Sequence, residues 1–333
     1  MPPSLEIHVP ASPTRRFADM LCFLAASLAR NGAFDGDWQL VVTLGHDGDL
    51  HPGAPEFGWA HDYPVVFRRP DAALWAQYDA LARARRNPAL RYHATILAQF
   101  AQAPQADLVL YLDADTVLLR PIGDLLEQVA RMGVMAAKPA WQPPVNIDLD
   151  AVLAAAGLTP EGPGMVYSGH GWSFLAPRTG PPYFNGGIIA CPRAIAATMH
   201  DALPRDFDFV TRHFPGHYSW QVAHCLTLIR HRIPWLALDE RWNMGIGEPG
   251  APLMTGPEGA ALEALAQEQL ADARLLHYCT PTRHFRRNDV MGDAPALRAF
   301  LDARDLDPGE AMLQGALRPL RPVWEAACRA AGR

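Results

Sequence analysis

Apolar residues occur along this chain in short runs separated by turn formers, the pattern of alternating strands and helices. Leu5-Glu6-Ile7-His8-Val9 reads as a strand, and Thr14 to Ala29 as a helix closed by Asn31-Gly32 at a C-cap. Trp38 to Leu44 is the next strand, Gly45-His46-Asp47-Gly48 turns the chain, and Pro64-Val65-Val66-Phe67 is a third strand. Tyr92 to Ala101 carries helical spacing before an apolar run, Leu108-Val109-Leu110-Tyr111-Leu112, that suits a strand buried on both faces of a parallel sheet. Further apolar strands follow at Ile188-Ile189-Ala190, Ile233 to Leu238 and Leu275-Leu276. The alternation predicts an α/β fold with a mostly parallel central sheet flanked by helices. Right-handed crossovers then gather the loops after Val9, Leu44 and Leu112 at one edge, as a nucleotide cleft.

The Leu108 run ends in Asp113-Ala114-Asp115, two carboxylates on alternate residues at the tip of a buried strand. Adjacent carboxylates repel unless a cation or a hydrogen-bond network holds them. Hard oxygen ligands favour Mg²⁺ or Mn²⁺, especially where substrate phosphates complete the shell. The alternative is a solvated turn in which Asp113 or Asp115 caps the next helix. No Gly-x-Gly-x-x-Gly or Walker sequence occupies the strand-end loops, so a nucleotide would be held by a metal bridging its phosphates and not by a glycine-rich cradle.

Composition narrows the setting. The chain has 333 residues, 49 % of them apolar, enough for one elaborate α/β domain. A net charge of −6 and the lack of a basic stripe interleaved with aromatics argue against nucleic acid as partner. The five cysteines, Cys22, Cys191, Cys225, Cys279 and Cys328, are odd in number and lack metal spacing, which predicts reduced thiols and a cytoplasmic setting. No charged-then-apolar leader and no apolar run near 18 residues occurs, so a soluble protein is expected. Lys138 is the sole lysine and is read as a mark of base composition.

Three later segments bear on the cleft. Pro182-Tyr183-Phe184-Asn185-Gly186-Gly187 sets an amide and two glycines ahead of a strand, where missing side chains would let a substrate approach the backbone. The other reading is a glycine-rich entry to a core strand. Asp239-Glu240-Arg241-Trp242-Asn243 offers charge and an amide near the same edge. Leu275 to Arg287 places His277 after an apolar strand and follows it with a basic cluster; imidazole can be a third Mn²⁺ ligand and guanidinium can clamp phosphate, although a lone histidine is commonly structural.

In this order, Tyr-Leu-Asp-Ala-Asp-Thr, Phe-Asn-Gly-Gly, a Gln before a helix, Trp-Asn and His-Tyr-Cys-x-Pro-x-Arg, the chain resembles the family 8 glycosyltransferases of GT-A fold, which include glycogenin and bacterial lipopolysaccharide galactosyltransferases. The resemblance spans most of the chain. It implies Mn²⁺ (or Mg²⁺) held by Asp113, Asp115 and His277 on the diphosphate of a nucleotide-sugar, a UDP-sugar in that family, with Ala114 between the aspartates. It places Asn185 and Gly186 near donor sugar or acceptor, and Gln221 beside the anomeric carbon. Arg283 falls where the family's phosphate-binding lysine stands, as a planar fork in place of a point charge. The expected reaction is hexosyl transfer to a glycan, lipopolysaccharide or lipid-linked hydroxyl acceptor with retention; an inverting reaction would make Asp239 or Glu240 the base.

The departures are specific. Trp220 replaces the Asp of an Asp-Gln pair, Thr280 replaces a glycine, and His284-Phe285 replaces Pro-Trp. Thr95 or Ile96 stands where a basic donor contact is usual, with Arg91 one turn away. Pro10-Ala11-Ser12 lacks the family's acidic and amide groups and would meet the base through its backbone. On this reading residues 1–300 form the transferase domain, about 139–182 is an insertion that serves as an acceptor lid or packs as structure, and 301–333 is a basic helical tail. In the insertion, Asp148 is read as the cap of a short helix. His213, His217 and His224 read as helix surface or acceptor rim. The tail either docks on the surface or makes weak contact with anionic membrane, which would place the protein at the inner face. Two rivals share the sequence signals: a GT-A-like nucleotidyltransferase, which would show a glycine-rich basic first loop, and a catalytically silent glycan-binding protein, which would have lost the metal ligands.

Overall fold

The apolar runs become strands of one sheet because each is flanked by segments that can form a covering helix. In the computed structural model the described residues are 3–32, 34, 36–140, 147–159, 183–216, 218–246, 272–279 and 281–333. The chain enters through β1 (Leu5–Ala11), α1 (Arg15–Asn31), β2 (Trp38–Leu44) and β3 (Val65–Arg68), then α2 (Ala72–Arg85), α3 (Leu90–Ala98) and β4 (Leu108–Leu112). It continues through β5 (Thr116–Leu118), α4 (Gly123–Met132), β6 (Met135–Pro139), α5 (Leu149–Ala155), β7 (Phe184–Pro192), α6 (Arg193–His213) and α7 (Ser219–His231). The short strands β8 (Trp235–Ala237), β9 (Met244–Gly245) and β10 (Leu275–His277) precede four C-terminal helices.

Seven strands form the main sheet in the order β3-β2-β1-β4-β7-β6-β8, while β5, β10 and β9 form a second, small sheet. In the main sheet only β7 runs against its neighbours, antiparallel to both β4 and β6. The mostly parallel α/β architecture expected from the sequence is therefore present. The expected gathering of loops at one edge is present too: the Gly45 N–H donates to Ala11 O (2.9 Å), and Ser12 Oγ donates to Asp47 (2.7 Å).

Alternation along β4 divides the core between the two faces. Leu108, Leu110 and Leu112 pack with α1, α4 and the C-terminal helices, and Val109 and Tyr111 pack with α3, α6 and α7. α1 starts at the Thr14 cap and ends at Gly32 as expected, but Gly32 is right-handed (φ −64°), so its use is close packing under Phe34 and Leu28 O in place of a left-handed turn.

The basic C-terminal stretch is docked. Trp324, in the last helix (Arg321–Ala330), is fully buried and stacks on Phe23 of α1 with ring centroids 6.0 Å apart. Arg318 donates to Leu301 O, Arg321 pairs with Asp302 and Glu325, and Arg333 pairs with the buried Asp19 of α1. The tail's apolar face and these three cations are thus engaged within the protein. Among the described residues no helix is long and apolar enough to cross a membrane. Most of the 139–182 insertion, including Trp141, Asn146, His170 and Trp172, lies outside the described residues; within it Asp148 caps α5 through the Asp150 and Ala151 N–H groups, as the sequence suggested.

Trp324→Ala removes a large side chain from the contact between α1 and the C-terminus and is expected to cost about 3–5 kcal/mol. Chemical denaturation of the two proteins, with equal m-values, measures it.

Candidate metal centre

The site begins where β4 runs out of sheet. Asp113 and Asp115 follow its last residue, with Ala114 buried between them, and the chain reverses into β5 through a bond from Thr116 Oγ1 to Asp113 O (2.7 Å). β5 pairs antiparallel with β10 in a register that sets His277 opposite Thr116, and the Tyr278 N–H donates to Asp115 O (3.0 Å). β9 lies parallel on the other side of β10, bringing Asn243 beside His277. The small sheet is thus the device that carries an imidazole and an amide to the carboxylates.

One ligand atom from each of Asp113, Asp115 and His277 can be chosen so that all lie within 4.8 Å of one another. His277 Nε2 is 3.6 Å from Asp113 Oδ2 and 3.3 Å from Asp115 Oδ1, and His277 and Asp115 are buried. Two hard oxygens and one imidazole nitrogen suit Mn²⁺ or Mg²⁺, so the residues present fit the group expected here.

The polarity of the imidazole is fixed by a chain of amides. The Gly187 N–H can only donate, and it donates to Asn185 Oδ1 (2.8 Å). That oxygen also accepts from Asn243 Nδ2 (2.9 Å), which turns Asn243 Oδ1 toward His277 Nδ1 (3.1 Å). Nδ1 must therefore carry a proton, and a neutral His277 presents its lone pair on Nε2, toward the carboxylates. Lys138 is buried beneath this chain and donates from Nζ to Asn243 O (2.9 Å), so the sole lysine has a structural task that composition did not suggest.

The two carboxylates differ in acidity. Burial pushes the Asp113 carboxyl up to about 6, with Asp115 adding to the rise and His277 opposing it. Burial acts on Asp115 in the same sense, but His277 and Arg287 outweigh it and hold Asp115 well below the carboxylate range. For His277 burial favours the neutral ring, yet Cys279 and Asp115 raise it well above its ordinary value. Arg287 Nη1 donates to Asp115 Oδ2.

The other residues predicted from sequence fall in varied places. The Pro10 carbonyl accepts from Tyr92 Oη (3.0 Å), and Pro10, Ala11 and Ser12 line the same edge as the aspartates. The Tyr92 hydroxyl is pushed well up by burial, with Asp113 and Asp115 adding to the effect. Ile96, one turn further along α3, lines a pocket with Asp113, Gly186 and Trp220, whereas Arg91 turns to Asp79 (2.6 Å). The glycines take the core-strand reading: a Cβ on Gly186 would strike the Trp220 ring, and one on Gly187 would strike His277 and Asn243, so they admit the protein's own side chains. Gln221 is buried and accepts from Tyr183 Oη (2.6 Å). Asp239 is held by Arg241 through both oxygens, at 3.0 and 2.6 Å, and lies outside the cluster. Arg283 is 74 % exposed beside Asp305, also outside it, and Thr280 and His217 lie outside the described residues.

His224 is not on a surface or rim but in the core, edge-on to Phe100, Phe184 and Trp220, and burial takes it down to about 4, leaving it neutral. His213 ends α6 against Phe209.

The loop that follows His277 is pinned by one buried carboxylate. Glu310 accepts from Thr282 Oγ1 (2.5 Å), the His284 N–H (2.5 Å) and the Asp307 N–H (3.3 Å). It therefore sets the backbone path that delivers Arg287.

No protein-family model and no curated protein matches the chain in sequence. Among solved structures, that of the galactosyltransferase LgtC in complex with donor and acceptor sugar analogues superposes with TM-score 0.50 at 16 % identity, over 97 % of this chain and 99 % of that one. The fold is GT-A. Mouse xyloside xylosyltransferase 1 in its apo form gives TM-score 0.49 at 16 % identity, over 84 % of this chain and 100 % of that one.

Asn243→Leu keeps the volume but breaks the amide chain to His277; Mn²⁺ affinity measured by calorimetry is expected to fall about 10–100-fold. Glu310 gives a pH test. Its carboxyl sits below its ordinary value of 4.5, as burial is outweighed by the bonds from Thr282, His284 and Asp307. Its contribution is therefore full above about pH 4.5 and is lost as pH falls through the lower folded value. Glu310→Gln should lower stability at neutral pH by about 1–3 kcal/mol and flatten the loss of stability in acid, read from denaturant midpoints across pH.

Proposed function

We propose that this chain is a divalent-metal-dependent glycosyltransferase that moves a hexose from a nucleotide-sugar, a UDP-sugar, to a hydroxyl of a glycan, lipopolysaccharide or lipid-linked acceptor with retention. The observation that carries the reading is the Asp113–Asp115–His277 cluster at the carboxyl end of β4 in a GT-A fold. In open α/β sheets ligands collect at that edge. The intact cluster also weighs against a silent glycan-binding protein.

Bound there, Mn²⁺ or Mg²⁺ would stabilise the negative charge on a departing nucleoside diphosphate. The protein's own part is preparatory. Asn185 and Asn243 hold His277 with Nε2 facing the carboxylates, so the imidazole needs no reorganisation. The carbonyl and hydroxyl groups of Pro10, Ala11 and Ser12 border the place of the nucleobase. Gln221, fixed by Tyr183, and Asn185 border that of the sugar. In the retaining reaction the donor phosphate takes the acceptor proton, and no carboxylate base is needed. The capture of Asp239 by Arg241 supports that course, because one of the two bases an inverting reaction could use is held in an ion pair.

Asp115→Asn is expected to abolish metal-dependent transfer while leaving the melting temperature near that of the parent; full activity in the variant would overturn the metal reading. A thermal-shift screen against UDP, GDP, CMP and their sugar conjugates, with and without Mn²⁺, should give a Mn²⁺-dependent rise with UDP ligands. The anomeric configuration of the product by NMR then decides between retention and inversion.

A further inference from the structure

The sequence offers several arginines after His277, and the fold separates them. Arg283 is exposed beside Asp305, whereas Arg287 opens the short helix Arg287–Val290 and reaches Asp115. We propose that Arg287, together with Arg16, binds the donor's diphosphate, and that without ligand Arg287 rests on Asp115, from which the arriving metal releases it. This rests on the transferase reading above.

Arg287 donates to one Asp115 oxygen while His277 faces the other, so both faces of this carboxylate are taken by positive groups where a divalent cation would bind. A divalent cation on Oδ1 and the Arg287 guanidinium on Oδ2 are like charges on one carboxylate, so the arrival of the first weakens the hold of the second. Arg16 comes from the first turn of α1 and donates from Nη1 to Asn288 Oδ1 (2.9 Å), the residue next to Arg287. Burial lowers the Arg16 pKa, and the nearby charge of Arg287 lowers it further. The Nε–H groups of Arg16 and Arg287 are both buried with no hydrogen-bond partner among the described residues. Two guanidiniums held close together, each with an unused donor, make an anion site.

Charge balance leads to the same ligand. Asp113 and Asp115 together neutralise a divalent cation, which leaves Arg16 and Arg287 to face a diphosphate diester carrying two negative charges. Because Glu310 fixes the loop backbone, the exchange needs only rotation of the Arg287 side chain, which is 32 % exposed and so has room to turn.

The test uses the full chain and two probes free of any sugar or base: MnCl₂ alone, and inorganic pyrophosphate with Mn²⁺ at saturation. Arg287→Gln should bind Mn²⁺ about tenfold more tightly, as expected when a competitor holding most of the site is removed. It should bind pyrophosphate about tenfold more weakly. A merely structural role for Arg287 would weaken both. Arg287→Lys, which keeps the charge and loses the planar fork, should shift both affinities in the same directions by less and serves if the Gln variant does not fold. Equal Mn²⁺ affinity in parent and variant would overturn the exchange while leaving the metal reading intact. A loss of pyrophosphate binding in Arg283→Gln, and not in Arg287→Gln, would assign the diphosphate to Arg283. No Mn²⁺ binding to either protein would overturn both readings.

Discussion

The arrangement around β4 depends on one constraint: two carboxylates share the tip of a buried strand and cannot both stay charged without compensation. Each neighbouring group answers that constraint. His277 stands against both carboxylates, and Arg287 takes the second oxygen of Asp115. A divalent cation would meet the same constraint with two charges at once.

The small sheet has its meaning in the same terms. The main sheet ends in the carboxylates, which still need an opposing group. β5, β10 and β9 supply it, and the reversed direction of β7 brings Asn185, near its first residue, to the edge where β4 ends. Glycine at 186 and 187 is the steric condition for this convergence, since the rings of Trp220 and His277 fill the volume where Cβ atoms would stand.

Much of this was legible in the sequence, and the reason is local. Apolar residues alternating with Glu6 and His8 identify β1, the run Leu40-Val41-Val42 marks β2, and the uninterrupted apolar run of β4 delivers its aspartates by simple continuation. His277 was legible through its apolar strand and the motif order. The direction of β7 was not, because side-chain alternation is the same in either sense. Nor was the choice between Arg283 and Arg287. A basic cluster is visible as composition, but which member points inward depends on the loop path, and that path is set by Glu310, more than twenty residues away. Charge along the sequence points to Arg91, while the fold turns the Tyr92 hydroxyl to Pro10 and gives the Arg91 guanidinium to Asp79. Of the two readings the sequence leaves open for Gly186 and Gly187, packing against Trp220, His277 and Asn243 favours the entry to a core strand.

The amide chain from Gly187 to His277 also bears on how the molecule folds. Its members come from β7, from the approach to β9 and from β10, and the carboxylates from the end of β4, so every contact beyond the local Gly187–Asn185 bond closes a long loop of chain. Such contacts carry a high entropic cost and form only when most of the architecture already exists. The cluster therefore has no counterpart in a partly folded chain, and an ion bound there would act as a latch on the completed fold, slowing its opening more than it hastens its formation.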